Sequence, residues 1–328
     1  MAGLDDVNPA VGRQRALTVL GAAVSVAALA GVIWWALHQD APTLPDSPSR
    51  LALLAAAIAV YLAGCAARGE RWLALLRHNG AEPSRADVHS LVAVGYLGNN
   101  VLPARAGDAL RVVFLTPRAR TDARTVIGTI VAERVLDVAL LVGLFVILAY
   151  GVLGGIDVPS AGRFLVAALL VAALLAVLAG GALVLHRRGH LRHVLDFLAP
   201  MGAATVRMHG RHGVALLAWS VLVWALEWGA WWLTAKAVGL HLAVLDVGYL
   251  MGLATIFVLV PSGPGYIGTF DAALIFGLHA LGHAGAMTLS YLLLLRFVIA
   301  VPITLLGLLA LASRFGGIAR MKAAVRTG

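Results

Sequence analysis

The sequence predicts an all-α polytopic membrane protein with about six full transmembrane helices and two opposed re-entrant hairpins, each built from a broken helix. Three observations predict this fold class. Of the 328 residues, 61% are hydrophobic and 12% are charged, whereas soluble domains carry about 25% charged residues. Apolar stretches of roughly 20 residues, long enough to cross a ~30 Å hydrocarbon core, recur along the chain. Two further apolar stretches are interrupted by proline and glycine. Residues 1–328 are therefore interpreted as a single transmembrane domain.

Six mainly apolar stretches are predicted to be full spans of the bilayer. They cover residues 16–37, 50–67, 126–150, 163–185, 214–238 and 286–312. The first could be mistaken for a signal peptide, but its roughly 20 residues exceed an h-region of about 7 to 15 residues. It also ends at Trp34 and Trp35 without a small-residue cleavage site. It is therefore interpreted as a membrane span.

The two remaining apolar stretches, 88–117 and 245–281, contain the breaks "GYLGNNVLPARAGDALR" and "VPSGPGYIGTFD". Proline and clustered glycine end helices. Backbone polar groups left unpaired at membrane depth cost several kcal/mol each, so such breaks are tolerated only where protein buries them or where they line a wet cavity. Both stretches are therefore predicted to be re-entrant helical hairpins.

Basic residues predict the orientation, because most of the 25 Lys and Arg lie in five segments between apolar runs. The positive-inside rule places such segments in the cytoplasm. They contain Arg13 and Arg15; Arg68, Arg71, Arg77 and Arg85; Arg118, Arg120 and Arg124; Arg187, Arg188, Arg192, Arg207 and Arg211; and Arg314, Arg320, Lys322 and Arg326. A multi-pass protein of the cell (cytoplasmic) membrane with both termini in the cytoplasm is expected. The net charge of +9 is then a topology signal and does not indicate a nucleic-acid partner.

This orientation makes the hairpin 88–117 enter from the cytoplasmic side and the hairpin 245–281 from the outer side, so the two point at each other. Their contents suggest an inverted repeat, with a first unit at 50–150 and a second at 214–312. The matching residues are Pro103, Gly107, Asp108 and Arg134 in the first unit, and Pro264, Gly268, Asp271 and Arg296 in the second. Many transporters repeat a span and a broken helix upside down, with the site at the midplane. Coincidence is the alternative.

Charged residues at membrane depth mark the candidate site, because each costs about 2.5 to 3.5 kcal/mol even on the lenient insertion scale. The arginines are Arg105, Arg111, Arg134 and Arg296, and the acids are Asp108, Glu133, Asp137, Glu227 and Asp271. Glu133 and Asp137 share a helix face, and Arg134 and Asp137 are close enough to pair. Arginine forks and the N-termini of broken helices suit a phosphate group. An ion-pair network that only holds the helices in register is the alternative.

The candidate site comprises these charges together with the polar and glycine residues of the two breaks. The predicted headgroup-binding residues are Asn99, Asn100, Arg105, Asp108, Arg111, Glu133, Arg134, Asp137, Ser262, Gly265, Tyr266, Asp271 and Arg296. No catalytic residue, cofactor or metal site is predicted.

Other patterns are interpreted as structural. "GPGYIG" matches the dinucleotide fingerprint by letters, but the fingerprint requires a preceding strand and a later acidic residue, and membrane helices flank this segment. Histidines at 186, 190, 193, 209 and 212 could share a helix face as metal ligands. The arginines between them repel a cation, so a solvated basic loop is predicted. Cys65 is expected to be a buried apolar residue. Trp231 and Trp232 are expected in the interfacial belt.

The motifs "GNNVLPARAGDALRVVFL", "ERVLD", "PSGPGYIGTFDAAL" and "LLLLRF", in this order, resemble the lysylphosphatidylglycerol synthase transmembrane-region family, a flippase-like membrane family. The resemblance covers the chain from about residue 50 onward. It implies a membrane domain that moves aminoacylated phosphatidylglycerol between leaflets, while a separate cytosolic domain makes that lipid. No such domain precedes Gly328, so synthase activity is not implied. Asp271 stands where the family pattern has glutamate.

These observations together predict a lipid translocase that binds an anionic phospholipid or polyprenyl-phosphate headgroup in a polar intramembrane cavity. Arg105, Arg134 and Arg296 are expected to bind the phosphate, and the neighbouring acids to hold them or to engage a cationic group or proton. Two alternatives stay open. One is a membrane-embedded lipid-modifying transferase with Glu133 as base, and the other is a structural subunit. A separate lipid-modifying enzyme is an expected partner, and the oligomeric state is not predicted.

Overall fold

The chain is a polytopic all-α membrane protein, which confirms the predicted fold class. The computed structural model describes residues 29–102, 106–152, 211–258 and 264–317, and the regular elements in these ranges are all helical. They are α1 (29–37), α2 (Pro48–His78), α3 (Arg85–Val101), α4 (Ala106–Leu115), α5 (Ala123–Val152), α6 (Arg211–Ala237), α7 (Val244–Val258), α8 (Thr269–Ala280) and α9 (Ala286–Arg314).

Within the described residues, the three helices that are long and apolar enough to cross a membrane belong to α2, α6 and α9. Helix α5 has 30 residues, which corresponds to roughly 45 Å at 1.5 Å per residue. Helices α2, α5 and α9 contain the predicted spans 50–67, 126–150 and 286–312, and α6 covers all but the last residue of the predicted span 214–238. The span 16–37 is described only from residue 29, and the span 163–185 lies outside the described residues.

Helix α2 corrects one predicted boundary. The apolar run ends at residue 67, and residues 68–77 were expected in a cytoplasmic loop, but the helix continues to His78. Its last three turns stay in the bundle because Trp72, Leu75 and Leu76 are fully buried there. The arginines of this extension therefore lie on a packed helix and not in a loop.

Capping residues explain where several helices begin. The Ser47 hydroxyl accepts from the backbone N–H of Arg50 at the start of α2, and the Ser84 hydroxyl accepts from Asp87 N–H at the start of α3. Before α5, the Asp122 carboxylate accepts from Thr125 N–H at 2.6 Å. This hydrogen bond stabilises the ionised carboxylate and lowers the pKa of Asp122 below its ordinary value. Such caps satisfy backbone donors that the first helical turn leaves unpaired.

The first broken segment forms a helical hairpin in which α3 packs against α4. Glycines allow the two backbones to touch: a Cβ atom on Gly98 would lie 2.5 Å from the Cα of Gly107, and a Cβ on Gly107 would overlap the Gly95 carbonyl oxygen. The Asn99 side-chain oxygen accepts from Gly107 N–H at 3.1 Å across the break. Any side chain at Gly107 would therefore push the hairpin apart.

The second broken segment forms a similar hairpin, in which α7 packs against α8. Its tip contains a short 3₁₀ turn at Pro264–Tyr266, where Gly265 has φ 62° and Tyr266 has φ 54°. Both residues adopt the left-handed region, which glycine tolerates easily and tyrosine does not. This tip is therefore a defined, strained turn that its surroundings must hold in place.

The two hairpins open towards opposite ends of the bundle. At one end, called here the basic end, Glu82 N–H donates to the Ala119 carbonyl, which brings together the loops before α3 and after α4. Arg118 donates to the carbonyl of Arg314 there, at the C-terminus of α9. The second hairpin instead leads through residues 281–285 into the N-terminus of α9. The two therefore approach each other from opposite ends of the bundle; their re-entrant path through a membrane stays a prediction.

Candidate functional site

Eight charged side chains from four helices form one network, called here the arginine–carboxylate cluster. Its members are Arg68 and Arg71 of α2, Asp108 and Arg111 of α4, Glu133, Arg134 and Asp137 of α5, and Glu227 of α6. Four of these side chains are cationic and four are anionic. The cluster ties the first hairpin to three long helices.

Asp137 lies at the centre of the cluster. Its two carboxylate oxygens accept from the two terminal nitrogens of Arg71 at 2.7 and 3.2 Å. Arg71 also donates to the Ser220 hydroxyl at 2.9 Å, and its side chain is 1% exposed. The Trp224 indole N–H donates to Asp137 at 3.2 Å. Two further arginines approach the same carboxylate, Arg68 at 3.8 Å and Arg134 at 3.9 Å.

Arg68 joins α2 to α6. It forms a hydrogen-bonded ion pair with Glu227, and its guanidinium lies over the Trp224 ring at 5.1 Å from the centroid. Stacking of a guanidinium on an indole adds to the Coulombic attraction in a desolvated position. No partner for Glu227 could be assigned from its own helix. It pairs with Arg68, where α2 continues beyond the predicted apolar run.

Arg111 joins α4 to α5. It donates to Glu133 at 2.6 Å, approaches Asp108 at 3.4 Å, and lies over the Trp72 ring at 3.8 Å from the centroid. The side chain has room because Gly95 of α3 lacks a Cβ, which would come within 2.9 Å of the arginine Cδ. The Arg111 side chain is 7% exposed, so it is buried and joins the first hairpin to α5.

Arg134 differs from the other cations of the cluster because its side chain is 44% exposed. One terminal nitrogen donates to both oxygens of Asp108 at 3.2 Å, so Asp108 is its closer partner and Asp137 the more distant one. Val131 and Val135, one turn before and one residue after it, are also exposed. An exposed guanidinium in this position can bind an anionic group from outside the bundle.

The tips of the two hairpins meet beside the cluster, in a contact called here the hairpin junction. The first hairpin contacts the Pro264–Tyr266 turn, and a Cβ on Gly265 would lie 3.5 Å from the Asn100 carbonyl oxygen. The Asn100 amide donates to the Thr304 hydroxyl of α9 at 2.9 Å. The junction is therefore closed at this contact and is fixed to α9.

Arg296 of α9 clamps the tip of the second hairpin. It donates to the two carboxylate oxygens of Asp271 at 2.6 and 2.9 Å and to the carbonyls of Gly265 and Tyr266 at 2.5 and 3.1 Å. Asp271 in turn accepts from Gly268 N–H at 2.8 Å. These bonds hold the left-handed turn, and all three guanidinium nitrogens take part in them.

The two hairpins share a motif. In each, an aspartate in the first turn of the second helix pairs with an arginine of the following long helix: Asp108 with Arg134, and Asp271 with Arg296. These are the pairs that the proposed inverted repeat places in equivalent positions. The match favours the repeat, which stays a prediction.

The structure brings most of the predicted site residues together. Arg111, Glu133 and Asp137 lie buried in the cluster, Asp108 and Arg134 lie at its exposed edge, and the remaining described residues form the junction. Those are Asn99, Asn100, Gly265, Tyr266, Asp271 and Arg296. Arg105 and Ser262 lie outside the described residues. Sequence reasoning missed Arg68 and Arg71, which it assigned to a loop; the unpaired Glu227 was the available signal for a further cation.

The structure also bears on the predictions made for the cysteine, tryptophan and histidine residues. Cys65 is buried, as expected. Trp231 is 2% exposed and packs edge-on against Phe270, so its assignment to the interfacial belt was wrong; its neighbours on α6 and α8 enclose it. His212 stacks against His78, and the other loop histidines lie outside the described residues. Among the residues that the structure does describe, no group of three or more potential ligands could hold a metal ion.

Comparison with known proteins adds two findings. The family model described as "Lysylphosphatidylglycerol synthase TM region" matches residues 19–307. A protein named "Glycosyltransferase AglD" from Haloferax volcanii is 29% identical over 143 residues, which are 40% of this chain and 23% of that protein. The match thus spans about a quarter of that relative's length. No solved structure matches the chain.

Proposed function

The chain belongs to the lysylphosphatidylglycerol synthase TM region family, and we propose that it is a lipid translocase of the cell membrane. In this proposal an anionic phospholipid or polyprenyl-phosphate presents its headgroup to the arginine–carboxylate cluster while its chains remain in the bilayer. The chain is proposed to catalyse no reaction itself. Both termini are proposed to face the cytoplasm.

The observation that carries the proposal is the exposed Arg134, which pairs with half-buried Asp108 at the edge of the arginine–carboxylate cluster. Charged groups at membrane depth are costly and commonly mark substrate or ion pathways. The Arg134 side chain is 44% exposed, so a ligand can reach it, whereas Arg71 and Arg111 are enclosed by protein. A guanidinium in that position can exchange a carboxylate partner for a phosphate, which arginine binds well through two of its nitrogens.

The hairpin junction supports the same proposal. Two broken helices that enter from opposite ends and meet near a charged cluster resemble the general plan of secondary transporters, in which the site lies where discontinuous helices meet. Movement of either tip away from the Asn100–Gly265 contact would open a polar path on one side of the cluster. Arg296 would follow the second tip, because it binds the tip carbonyls directly.

The names of the related proteins support a shared lipid-handling role. A lysylphosphatidylglycerol synthase and a glycosyltransferase transfer different groups, so a membrane region common to both is better explained by handling of lipid than by one transfer reaction. The partial match to the glycosyltransferase also favours a separate lipid-modifying enzyme as a partner of this chain.

The test is movement of a fluorescent phosphatidylglycerol across proteoliposomes that contain the purified chain. Dithionite added outside destroys the probe in the outer leaflet, so a translocase makes the protected inner fraction accessible. Protein-dependent loss of protection, with the probe recovered chemically unchanged by mass spectrometry, is expected. Continued protection would contradict translocation, and a covalently altered probe would favour the transferase.

A further inference from the structure

The surroundings of Asp137 are those of a bound anion. Three guanidinium groups point at one carboxylate: Arg71 binds it through two nitrogens at 2.7 and 3.2 Å, while Arg68 and Arg134 approach it at 3.8 and 3.9 Å. The Trp224 indole N–H adds a fourth donor group at 3.2 Å. Helices α2, α5 and α6 each contribute at least one of these donors, so the arrangement is built by the fold.

This ring places three guanidinium groups and an indole N–H around a single carboxylate. A carboxylate presents two oxygens, whereas a phosphate monoester or diester presents more acceptor atoms in a tetrahedral arrangement, which several arginine forks can reach at once. The other acids of the cluster each engage fewer of these cations. Glu227 pairs with Arg68, and Glu133 lies 3.6 Å from Arg71.

The ring also has an entrance. The Asp137 side chain is 8% exposed, but Arg134, which contacts it, is 44% exposed. Arg134 therefore links the buried ring to the exposed edge of the cluster. An anion that first pairs with Arg134 reaches the other three donors by moving inward along one side chain.

We propose that Asp137 occupies a preformed phosphate site made by Arg68, Arg71, Arg134 and Trp224, and that the phosphate group of the ligand takes the place of this carboxylate when it binds. The inference rests on the proposed function, whose headgroup site it locates, and it adds Arg68, Arg71 and Trp224 as ligand-binding groups. Asp137 acts as an internal substitute for the phosphate and keeps the buried Arg71 paired while the site is empty.

The deciding variant is Asp137→Asn, which keeps the shape of the side chain and removes its charge. Thermal unfolding of the detergent-solubilised protein is followed in chloride and in inorganic phosphate at matched ionic strength. Because a ligand that binds only the folded state raises its stability, phosphate is expected to raise the apparent Tm of Asp137→Asn clearly more than that of the wild type. An equal response of the two proteins would overturn the proposal.

The matched control is Glu70→Gln, which removes one negative charge outside the cluster, at a side chain that pairs with Arg85. Its Tm is expected to respond to phosphate no more than the wild type does. If Asp137→Asn is not recovered in chloride, the protein is purified in phosphate instead, and recovery only with phosphate supports the site. Failure in both buffers, while Glu70→Gln is recovered in both, would overturn it.

A second ligand separates the two sources of phosphate. Short-chain phosphatidylglycerol is compared with inorganic phosphate and with the matching diacylglycerol, which lacks the phosphate. A rise in Tm with phosphatidylglycerol alone supports a lipid headgroup site. A rise with inorganic phosphate as well supports a site open to free phosphate. An equal rise with diacylglycerol contradicts both. Wild-type protein that fails to move lipid while Asp137→Asn still responds to phosphate would contradict the translocase and leave the site intact.

Discussion

Replacing Arg134 by glutamine tests the exposed edge of the cluster. The change removes the guanidinium that donates to both Asp108 oxygens at 3.2 Å and leaves that carboxylate with Arg111 at 3.4 Å. At an effective dielectric constant of 20 the Arg134–Asp108 attraction is about 5 kcal/mol before desolvation and entropy are subtracted. Exposed pairs are worth about 0.2 to 1 kcal/mol net, and breaking a fully buried pair costs about 3 to 5 kcal/mol.

The pair lies between these limits, because the side chains of Arg134 and Asp108 are 44% and 27% exposed. We therefore expect Arg134→Gln to lower the free energy of unfolding by roughly 1 to 2 kcal/mol, and the protein still to insert and fold. Hydrogen bonds to charged groups are worth about 1.5 to 3 kcal/mol, and about 1.4 kcal/mol corresponds to a tenfold change in affinity. Headgroup binding should then weaken by about 10- to 100-fold.

The assay is the dithionite experiment with fluorescent phosphatidylglycerol, run at equal reconstituted protein. Arg120→Gln is the matched control, since that side chain is 86% exposed and lies 3.9 Å from Glu82 at the basic end. Arg134→Gln with Asp108→Asn restores the charge balance; it should regain stability and still not transport. Normal transport by this double variant, or equal losses in Arg134→Gln and Arg120→Gln, would refute the assignment of Arg134 to the headgroup site.

Three further predictions concern the hairpins. Arg296→Gln should abolish transport and destabilise the protein by about 3 to 5 kcal/mol. This loss should exceed that of Arg134→Gln, because it releases both Asp271 and the tip carbonyls. A smaller fall in Tm than that of Arg134→Gln would contradict the role of Arg296 in holding the tip. Gly107→Ala should lower stability by about 1 to 3 kcal/mol or more through overpacking, whereas Gly31→Ala, which places its Cβ in open space, should not. Cysteines placed at 117–122 and at 281–285 should be labelled from opposite sides of the membrane, and labelling from one side would remove the opposed hairpins.

Sequence reasoning located the hairpins because their signals are local. Proline and glycine clusters inside apolar stretches have few interpretations at membrane depth, and the structure has a break at each. The equivalence of Arg134 and Arg296 also came from spacing alone, and each arginine does pair with the aspartate of its own hairpin. Local spacing could not give the closest partner of Arg134, because Asp108 lies on another helix.

Arg68 and Arg71 show where sequence reasoning stopped. Basic residues that follow an apolar run are typical of a cytoplasmic loop, and nothing near them in the chain indicates otherwise. Arg71 is buried and Arg68 half-buried because acids on α5 and α6 lie opposite them. These contacts join residues 66 and 159 positions apart. Tertiary packing decides such pairings. The sequence indicated them only indirectly, because Glu227 had no cation assigned to it.

Lipid retained by the purified protein is the most direct test of headgroup binding by the arginine–carboxylate cluster. Wild type, Arg120→Gln and Arg134→Gln are extracted from their native membrane in mild detergent, and bound lipid is quantified by mass spectrometry per protein. Wild type and Arg120→Gln are predicted to retain one class of phosphate-bearing lipid, enriched over its share in the membrane, and Arg134→Gln to lose most of it. Equal retention by all three proteins, or wild-type retention that only mirrors the bulk membrane, would contradict a headgroup site at the cluster.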